Sequence, residues 1–290
     1  MRTRALVTSI MIGCLLFLMC IGFLLWLHLP GRDEILLLFD TRYAQLQLDA
    51  NERFALRFDM AKRGYGVRFE EIPLTDLGGV AMADHIEEHT SVVVVSPLLS
   101  AKLSRDAAPF PPDLTTVALE TGSEALFDIV FKRMQPDLGW IEVAKALSKV
   151  ASGQPLPTIL LHEGTDTAVA ELFSEHFDGG ALDVIAIEDH TAKEVEETIR
   201  KITASGALYV VVPYLEQLDT YLLGAKDLGI RWVLDSRFQP VAMGRTVEGV
   251  LADDIAEVVR ISIESDPSVD RSPVLPTTYR SVGRVLRNSP

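Results

Sequence analysis

Charged, hydroxyl and aromatic side chains recur directly after the apolar segments of this sequence that have the composition of β-strands. Arginine and carboxylate groups can hold a small polar molecule through paired hydrogen bonds, and an aromatic ring can stack on it. In open α/β sheets such ligands bind beyond the carboxyl ends of the strands, so we expect these side chains to share that edge. The predicted ligand-binding residues are Arg42, Tyr43, Ser96, Glu120, Trp140, His162, Tyr214, Asp235 and Arg237.

Several of these residues also have an ordinary structural interpretation. Asp235 can cap the turn that follows its strand, and Arg237 can pair with Asp235 on the surface. Trp140 stands beside Gly139 at a predicted helix start, where packing in the core or at a hinge is common. Both interpretations remain open for each residue at this stage.

The adjacent His162 and Glu163 suggest acid–base or metal chemistry. A metalloprotease helix needs a second histidine four residues after the first, and Asp166 stands there instead. The pair is therefore interpreted as a solvated loop pair, and no metal site is predicted. The sequence also has no nucleophile elbow, no phosphate-binding loop and no dinucleotide fingerprint after a strand. We expect that the protein is not an enzyme and needs no cofactor.

The elements that must position these residues alternate regularly along the chain. Short β-branched or leucine-rich segments are followed by amphipathic stretches with helical spacing, such as Ala44–Arg63 and the stretch that Thr191 opens with a capping box. This alternation predicts a three-layer α/β architecture with parallel sheets. The predicted strands are Ile35–Phe39, Val67–Ile72, Ser91–Val95, Thr115–Leu119, Phe127–Phe131, Thr158–Leu161, Asp183–Ile187, Ala207–Val212 and Trp232–Leu234.

One irregularity in the alternation predicts two lobes rather than one sheet. The strand Thr115–Leu119 is followed by Phe127–Phe131 with no room for a helix between them, and the region before them is rich in proline. We interpret this as the point where the chain passes from one lobe to the other. The predicted domains are a membrane segment at 1–30, a first α/β lobe at 31–123 with return elements from about 240–290, and a second α/β lobe at 124–240.

The charge balance excludes one class of partner. The chain carries 27 lysines and arginines against 41 aspartates and glutamates, for a net charge of −14. A surface this negative repels a phosphate backbone, so we expect no nucleic-acid binding.

The N-terminal segment indicates a membrane. No charged residue occurs from Ala5 to Leu29, which exceeds the roughly 20 apolar residues that span a bilayer. Arg2 and Arg4 precede this segment, so the positive-inside rule keeps the N-terminus in the cytoplasm and exports the rest. We interpret the segment as an uncleaved signal anchor in the cytoplasmic membrane. Lipidation at Cys14 and cleavage elsewhere remain alternatives, and all three place the domain on the extracytoplasmic side.

The order of motifs from the middle of the chain onwards resembles the type I periplasmic binding protein fold, shared by solute receptors and the effector domains of lac-repressor-like regulators. The motifs are Asp137-Leu138-Gly139-Trp140 before an alanine-rich helix, His162 to Thr167 after a strand, Pro213-Tyr214 after the strand Ala207–Val212, and the strand that ends in Asp235. The resemblance implies a last helix at Thr246–Glu264 and a return strand at Pro276–Val282. Family members often have Asn-Asp where this chain has Pro213-Tyr214, and regulators carry a DNA-binding helix pair that is replaced here by the membrane segment.

The resemblance implies a membrane-tethered extracytoplasmic receptor that captures a small polar ligand between two lobes. A sugar, a nucleoside or an amino acid would suit the candidate residues, and an ABC-type permease would be the partner. The alternatives are a ligand-free scaffold or a sensor domain of the cell envelope with the same fold, and, less favoured, an anchored α/β enzyme.

Overall fold

The computed structural model describes residues 17–19, 22, 33–73, 75–76, 82–102, 113–120, 126–134, 136–151, 155–164, 167–236, 247–265 and 272–281. The chain divides into two compact units, each built from two separate stretches of sequence. The first unit comprises Met1–Phe131 and Val259–Pro273, and the second comprises Lys132–Val258 and Val274–Pro290.

The first unit contains a parallel five-stranded sheet in the order β2-β1-β3-β4-β5. Its central strands are apolar on both faces and fully buried, as strands covered by helices on both sides must be. The strands are β1 (Glu34–Asp40), β2 (Gly66–Ile72), β3 (Thr90–Val95), β4 (Thr115–Leu119) and β5 (Ile129–Phe131). The helices are α1 (Thr41–Gln47), α2 (Ala50–Lys62) and α3 (Pro97–Lys102), with a 3-10 helix at Met82–His85.

The second unit contains a six-stranded sheet in the order β11-β10-β9-β8-β6-β7. All pairs are parallel except β10 with β11, which is antiparallel. The strands are β6 (Thr158–Glu163), β7 (Leu182–Ile187), β8 (Tyr209–Val212), β9 (Arg231–Asp235), β10 (Val247–Asp253) and β11 (Thr277–Ser281). The helices are α4 (Gly139–Ala151), α5 (Thr167–His176), α6 (Ala192–Ser205), α7 (Leu218–Gly224) and α8 (Ile255–Glu264), and the division between the units falls within α8.

Two apolar clusters lie on opposite faces of the second sheet. On one face Tyr221 and Ile202, from α7 and α6, pack with Trp232 of β9. On the other face Trp140 and Phe173, from α4 and α5, belong to the second cluster. Helices therefore cover both faces of this sheet, and the predicted α/β class with mostly parallel sheets is confirmed.

The local signals for one helix are confirmed in detail. The side chain of Thr191 accepts a hydrogen bond from Glu194 N at the start of α6, as an N-cap residue does. The helix ends before Gly206, which adopts the left-handed conformation with φ of 66°. The predicted helix Ala44–Arg63 is instead two helices, because Asp49 forms a complete capping box with Glu52 and restarts the chain as α2.

The predicted point of passage between the lobes is wrong in position. β5 pairs in parallel with β4, with Leu119 opposite Phe131, so the strand Phe127–Phe131 belongs to the first sheet and not to the second lobe. Neighbouring parallel strands are usually joined by a crossover of a dozen or more residues. The connection between β4 and β5 is shorter, so the sequence favoured a break between the lobes at this point. The division between the units follows Phe131 instead.

The last predicted helix is also wrong in its first half. Residues Val247–Asp253 form β10, and the helix begins only at Ile255. The signal that separates the two elements is Asp254, whose side chain accepts a hydrogen bond from Glu257 N and thus caps α8. The predicted return strand is present as β11.

The predicted membrane segment lies almost entirely outside the described residues. Within the part of the chain that the structure describes, no helix combines the length and the apolar character needed to span a bilayer.

Gly139 opens α4 where β10 and β11 pass close to the helix. A Cβ atom at this position would collide with Thr277 Oγ1 and Leu251 Cδ1, whereas a Cβ atom at Gly66 would meet nothing within 4 Å. We therefore expect Gly139→Ala to lower the free energy of unfolding by about 1–3 kcal/mol, measured by urea denaturation. The matched variant Gly66→Ala should stay within about 0.5 kcal/mol of the wild type. Equal stability of the two variants would contradict this packing.

Candidate functional site

The carboxyl edge of the second sheet is organised around one buried arginine. The Arg133 side chain is only 4% exposed. Its Nη1 atom lies 3.0 Å from Asp235 Oδ2 and 3.2 Å from Asp137 Oδ2, and its Nη2 atom contacts Asp253 Oδ1. Asp235 and Asp253 end the neighbouring parallel strands β9 and β10, which brings their carboxylates to one place.

Asp137 extends this cluster towards two further elements. Its Oδ1 atom accepts hydrogen bonds from Gly139 N at 2.9 Å and from Thr277 Oγ1 at 2.7 Å. Burying a charged group is costly unless it is paired and hydrogen-bonded. The Arg133 cluster, which we define as Arg133, Asp137, Asp235 and Asp253, pairs these charges and joins the ends of β9 and β10 to the starts of α4 and β11.

A second polar group lies at the carboxyl ends of β6, β7 and β8. The two carboxylate oxygens of Glu163 accept hydrogen bonds from His190 Nε2 at 2.9 Å and from Glu216 N at 2.6 Å. His162 is buried, and its Nδ1 atom donates to Glu163 O at 2.6 Å. The interpretation of His162 and Glu163 as a solvated loop pair is therefore wrong, because both side chains form hydrogen bonds within the protein.

Tyr221 lies beside this group on the inner face of α7. Its ring meets the His190 ring edge to face, with 6.4 Å between the ring centroids. Burial raises the pKa of Tyr221 to about 12, and the negative charges of Glu194 and Glu163 add to the rise. The Tyr221 hydroxyl is buried without a hydrogen-bond partner among the described residues.

The carboxyl edge of the first sheet is also polar. Asp40, at the end of β1, accepts hydrogen bonds from Tyr43 N at 2.9 Å and from Ser96 Oγ at 2.8 Å. Thr41 Oγ1 donates to Ile72 O at the end of β2, with a separation of 3.1 Å. Glu120 follows β4 in a left-handed conformation with φ of 57°, which is uncommon for a residue other than glycine. The ends of β1, β2 and β3 are thus tied together by short side chains.

The predicted site residues fall into distinct environments. Arg42 and Tyr214 reach the surface, and Tyr214 is 37% exposed. Tyr43 packs edge to face against Phe39, and Trp140 lies in the core of the second unit at 1% exposure.

Three further predicted residues, Ser96, His162 and Asp235, are buried at the carboxyl ends of their strands. Asp235 is fully buried and bound by Arg133, so the alternative that placed it on the surface is wrong. Arg237 itself lies outside the described residues.

Arg133 is among the site residues that reasoning from the sequence missed. It stands two residues after the strand Phe127–Phe131 and four residues before Asp137. The sequence therefore contained two signals for it, namely its position after a strand end and a carboxylate four residues later. Its pairing with Asp235 spans 102 residues and has no local signal.

A groove lies away from this edge, on the second unit. It has a volume of about 520 Å³ and is lined by α4 residues such as Lys145 and Lys149 and by Tyr209 and Tyr279. Tyr209 is the first residue of β8, so the groove lies towards the amino ends of the strands. It is therefore distinct from the candidate site. Among the described residues, no cluster of histidine, cysteine and carboxylate side chains is arranged to hold a metal ion.

Comparison with known proteins identifies the fold. No family model and no curated protein matches this chain. An ABC transporter solute-binding protein from Conexibacter woesei is similar in structure, with a TM-score of 0.50 at 12% sequence identity over 85% of this chain and 87% of that one. The chain has a type I periplasmic binding protein-like fold.

Other solved structures resemble the chain less well in backbone geometry. A solute-binding protein from Agrobacterium vitis, solved with bound alpha-D-tagatopyranose, has a TM-score of 0.42 at 12% identity, covering 89% of this chain and 97% of its own. A LacI-type regulator from Bacteroides fragilis has a TM-score of 0.38 at 8% identity, covering 89% and 100%.

We expect Arg133→Met to lower the free energy of unfolding by about 3–5 kcal/mol, because the buried carboxylates lose their shared guanidinium. The free energy of unfolding of Arg133→Lys should lie between those of Arg133→Met and the wild type. An ammonium group is a single point charge and cannot bridge several carboxylates. Chemical denaturation measures both effects. The exposed Arg200, paired with Glu196, provides the control, and Arg200→Met should change stability by less than about 1 kcal/mol. Equal effects at positions 133 and 200 would contradict the structure.

Tyr221 should make the stability of the fold sensitive to alkali. Because its pKa is raised to about 12, the neutral hydroxyl contributes stability below pH 10 that is lost as the pH rises towards 12. We expect Tyr221→Phe to be at least as stable as the wild type at neutral pH, because the hydroxyl that it removes is buried without a partner among the described residues, and to lose less stability between pH 10 and 12. Denaturation at several pH values measures this, with Tyr214→Phe as the exposed control. An identical alkaline decline in Tyr221→Phe and the wild type would show that this hydroxyl does not titrate as described.

Proposed function

We propose that this protein is an extracytoplasmic solute-binding protein, tethered to the cytoplasmic membrane, that binds a small polar molecule at the carboxyl edges of its sheets. The observation that carries the proposal is the polar character of these edges in a fold whose central strands are apolar. In open α/β sheets, ligands bind at this edge. The Conexibacter woesei protein supports the fold on which the proposal rests.

The chemistry of the edges favours a ligand that forms several hydrogen bonds. Carboxylates, hydroxyls, imidazole and a guanidinium are present, and Tyr214 offers a partly exposed ring for stacking. A sugar, a nucleoside or an amino acid meets this description. The proposed partner is an ABC-type permease that takes up the bound solute.

The proposed tether is the uncharged segment from Ala5 to Leu29. Its length is sufficient for one membrane crossing, and the arginines before it favour a cytoplasmic N-terminus. The α/β domain would then work outside the cytoplasmic membrane while staying near the permease.

A second candidate function is a ligand-free scaffold or a sensor domain with the same fold. One specific observation favours it: several polar groups at the edges are already engaged by protein partners. Asp40 binds Ser96, Asp235 binds Arg133, and Glu163 binds His190 and Glu216. A scaffold needs no solvent-facing polar groups at these positions.

A binding assay separates the two functions. The full chain, kept in mild detergent, is tested by thermal shift and calorimetry against a panel of monosaccharides, nucleosides and amino acids. A solute present at 100 times its dissociation constant should stabilise the fold by about 2.7 kcal/mol. The absence of a shift with every compound would favour the scaffold.

Tyr214→Ala should weaken binding of the identified compound about tenfold, because the ring that stacks on it is lost. Its stability without ligand should change by less than about 0.5 kcal/mol, since the ring is partly exposed. Leu223→Ala, which removes a 58%-exposed side chain from α7, is the matched control and should bind normally. Unchanged affinity in Tyr214→Ala would place the ligand elsewhere.

A further inference from the structure

Glu163 ends the strand that lies between β7 and β8 in the sheet. The order β8-β6-β7 places one neighbouring strand on each side of β6. Each carboxylate oxygen of Glu163 reaches the loop that follows one of these neighbours. Oε2 binds His190 of the β7–α6 loop, and Oε1 binds the backbone N–H of Glu216 in the β8–α7 loop. One side chain thus holds both flanking loops.

Both loops contain a residue in an unfavourable backbone conformation at the point where Glu163 holds them. His190 has φ of 49°, and Gln217, next to Glu216, has φ of 56°. Left-handed conformations of residues other than glycine persist only where the surrounding structure imposes them, and they cluster at functional sites. The hydrogen bonds to Glu163 supply such a constraint at both positions.

The two loops differ in what else holds them. In the β7–α6 loop, Glu194 accepts hydrogen bonds from Glu188 N at 3.1 Å and from Asp189 N at 2.8 Å. Glu194 also interacts with the backbone of His190, and all of these contacts are local to the start of α6. In the β8–α7 loop, Gln217 precedes α7 without a side-chain cap. The contact with Glu163 therefore joins to the sheet a helix start that lacks a cap of its own.

Tyr214 lies in the same short loop as Glu216, between β8 and α7. We propose that Glu163 is a positioning residue that fixes the β7–α6 and β8–α7 loops together and thereby sets the position of Tyr214 at the binding edge. The role of Tyr214 rests on the proposed function, whereas the shared anchoring of the two loops does not. The two parts are therefore tested separately.

Amide hydrogen exchange of the full chain, followed by mass spectrometry, tests the anchoring. Glu163→Ala removes both acceptors, so exchange of residues 188–191 and 214–217 should rise by roughly tenfold or more in both loops. His190→Asn keeps a residue that tolerates the left-handed conformation but removes the ring, and should loosen only residues 188–191. Exchange of residues 232–234 in β9 should stay unchanged, which excludes general destabilisation.

Conservative variants separate a positioning role from simple loss of packing. Glu163→Asp keeps two acceptor oxygens on a shorter side chain and should recover part of the protection that Glu163→Ala loses. Glu163→Gln keeps the length but replaces one acceptor by a donor, so its protection should also be incomplete. Glu171→Gln on the exposed side of α5 is the control and should exchange as the wild type does.

Loosening of only one loop in Glu163→Ala, or of neither, would overturn the shared anchoring. For a compound that the panel identifies, Glu163→Ala should weaken affinity in the same direction as Tyr214→Ala, and the double variant should bind no worse than Tyr214→Ala alone. Additive losses would overturn the action through Tyr214. If no compound of the panel binds the wild type, the proposed function and with it the role of Tyr214 fail, and the exchange result still decides the anchoring.

Discussion

A single buried guanidinium, that of Arg133, holds together the half of the second sheet's carboxyl edge that β9 and β10 form. It contacts carboxylates from the ends of β9 and β10 and from the segment that leads into α4. Burying these carboxylates without such a partner would be costly, because removing an ion from water costs several kcal/mol. The positions of the strand ends, of the α4 start and of β11 follow from that requirement.

Two buried or half-buried side chains hold the two halves of this carboxyl edge. Arg133 serves the half of the edge formed by β9 and β10, and Glu163 serves the half formed by β6, β7 and β8. Away from the edge the strands are apolar on both faces and pack against helices. The apolar layers supply the stability of the fold, and the polar edge carries the side chains on which the proposed solute binding depends.

The architecture could be predicted from the sequence because its signals are local. Apolar runs such as Val92 to Val95 and caps such as Thr191 depend only on neighbouring residues, and they lie where they were expected. The errors occurred where a local sequence pattern was compatible with two different structures. The short connection before β5 looked like a break between lobes, and the segment of β10 continued the apparent pattern of α8.

The candidate site was only partly predictable. Positions after strand ends identified Asp235 and His162 correctly as residues of the carboxyl edge. The partner of Asp235 could not be predicted, because the Arg133–Asp235 pair spans 102 residues. The same holds for the Glu163–His190 pair beside His162, which spans 27 residues. Such pairs are set by strand order, which composition and periodicity do not contain.

A double-mutant cycle between positions 133 and 235 tests most directly whether the Arg133 cluster holds this edge. The free energy of unfolding is measured for Arg133→Met, Asp235→Leu and the double variant. If the two side chains stabilise the edge only through each other, the double variant should lose at least about 2 kcal/mol less than the sum of the single losses. Losses that add to within about 0.5 kcal/mol would show that the two side chains act independently and that the edge is held by something else.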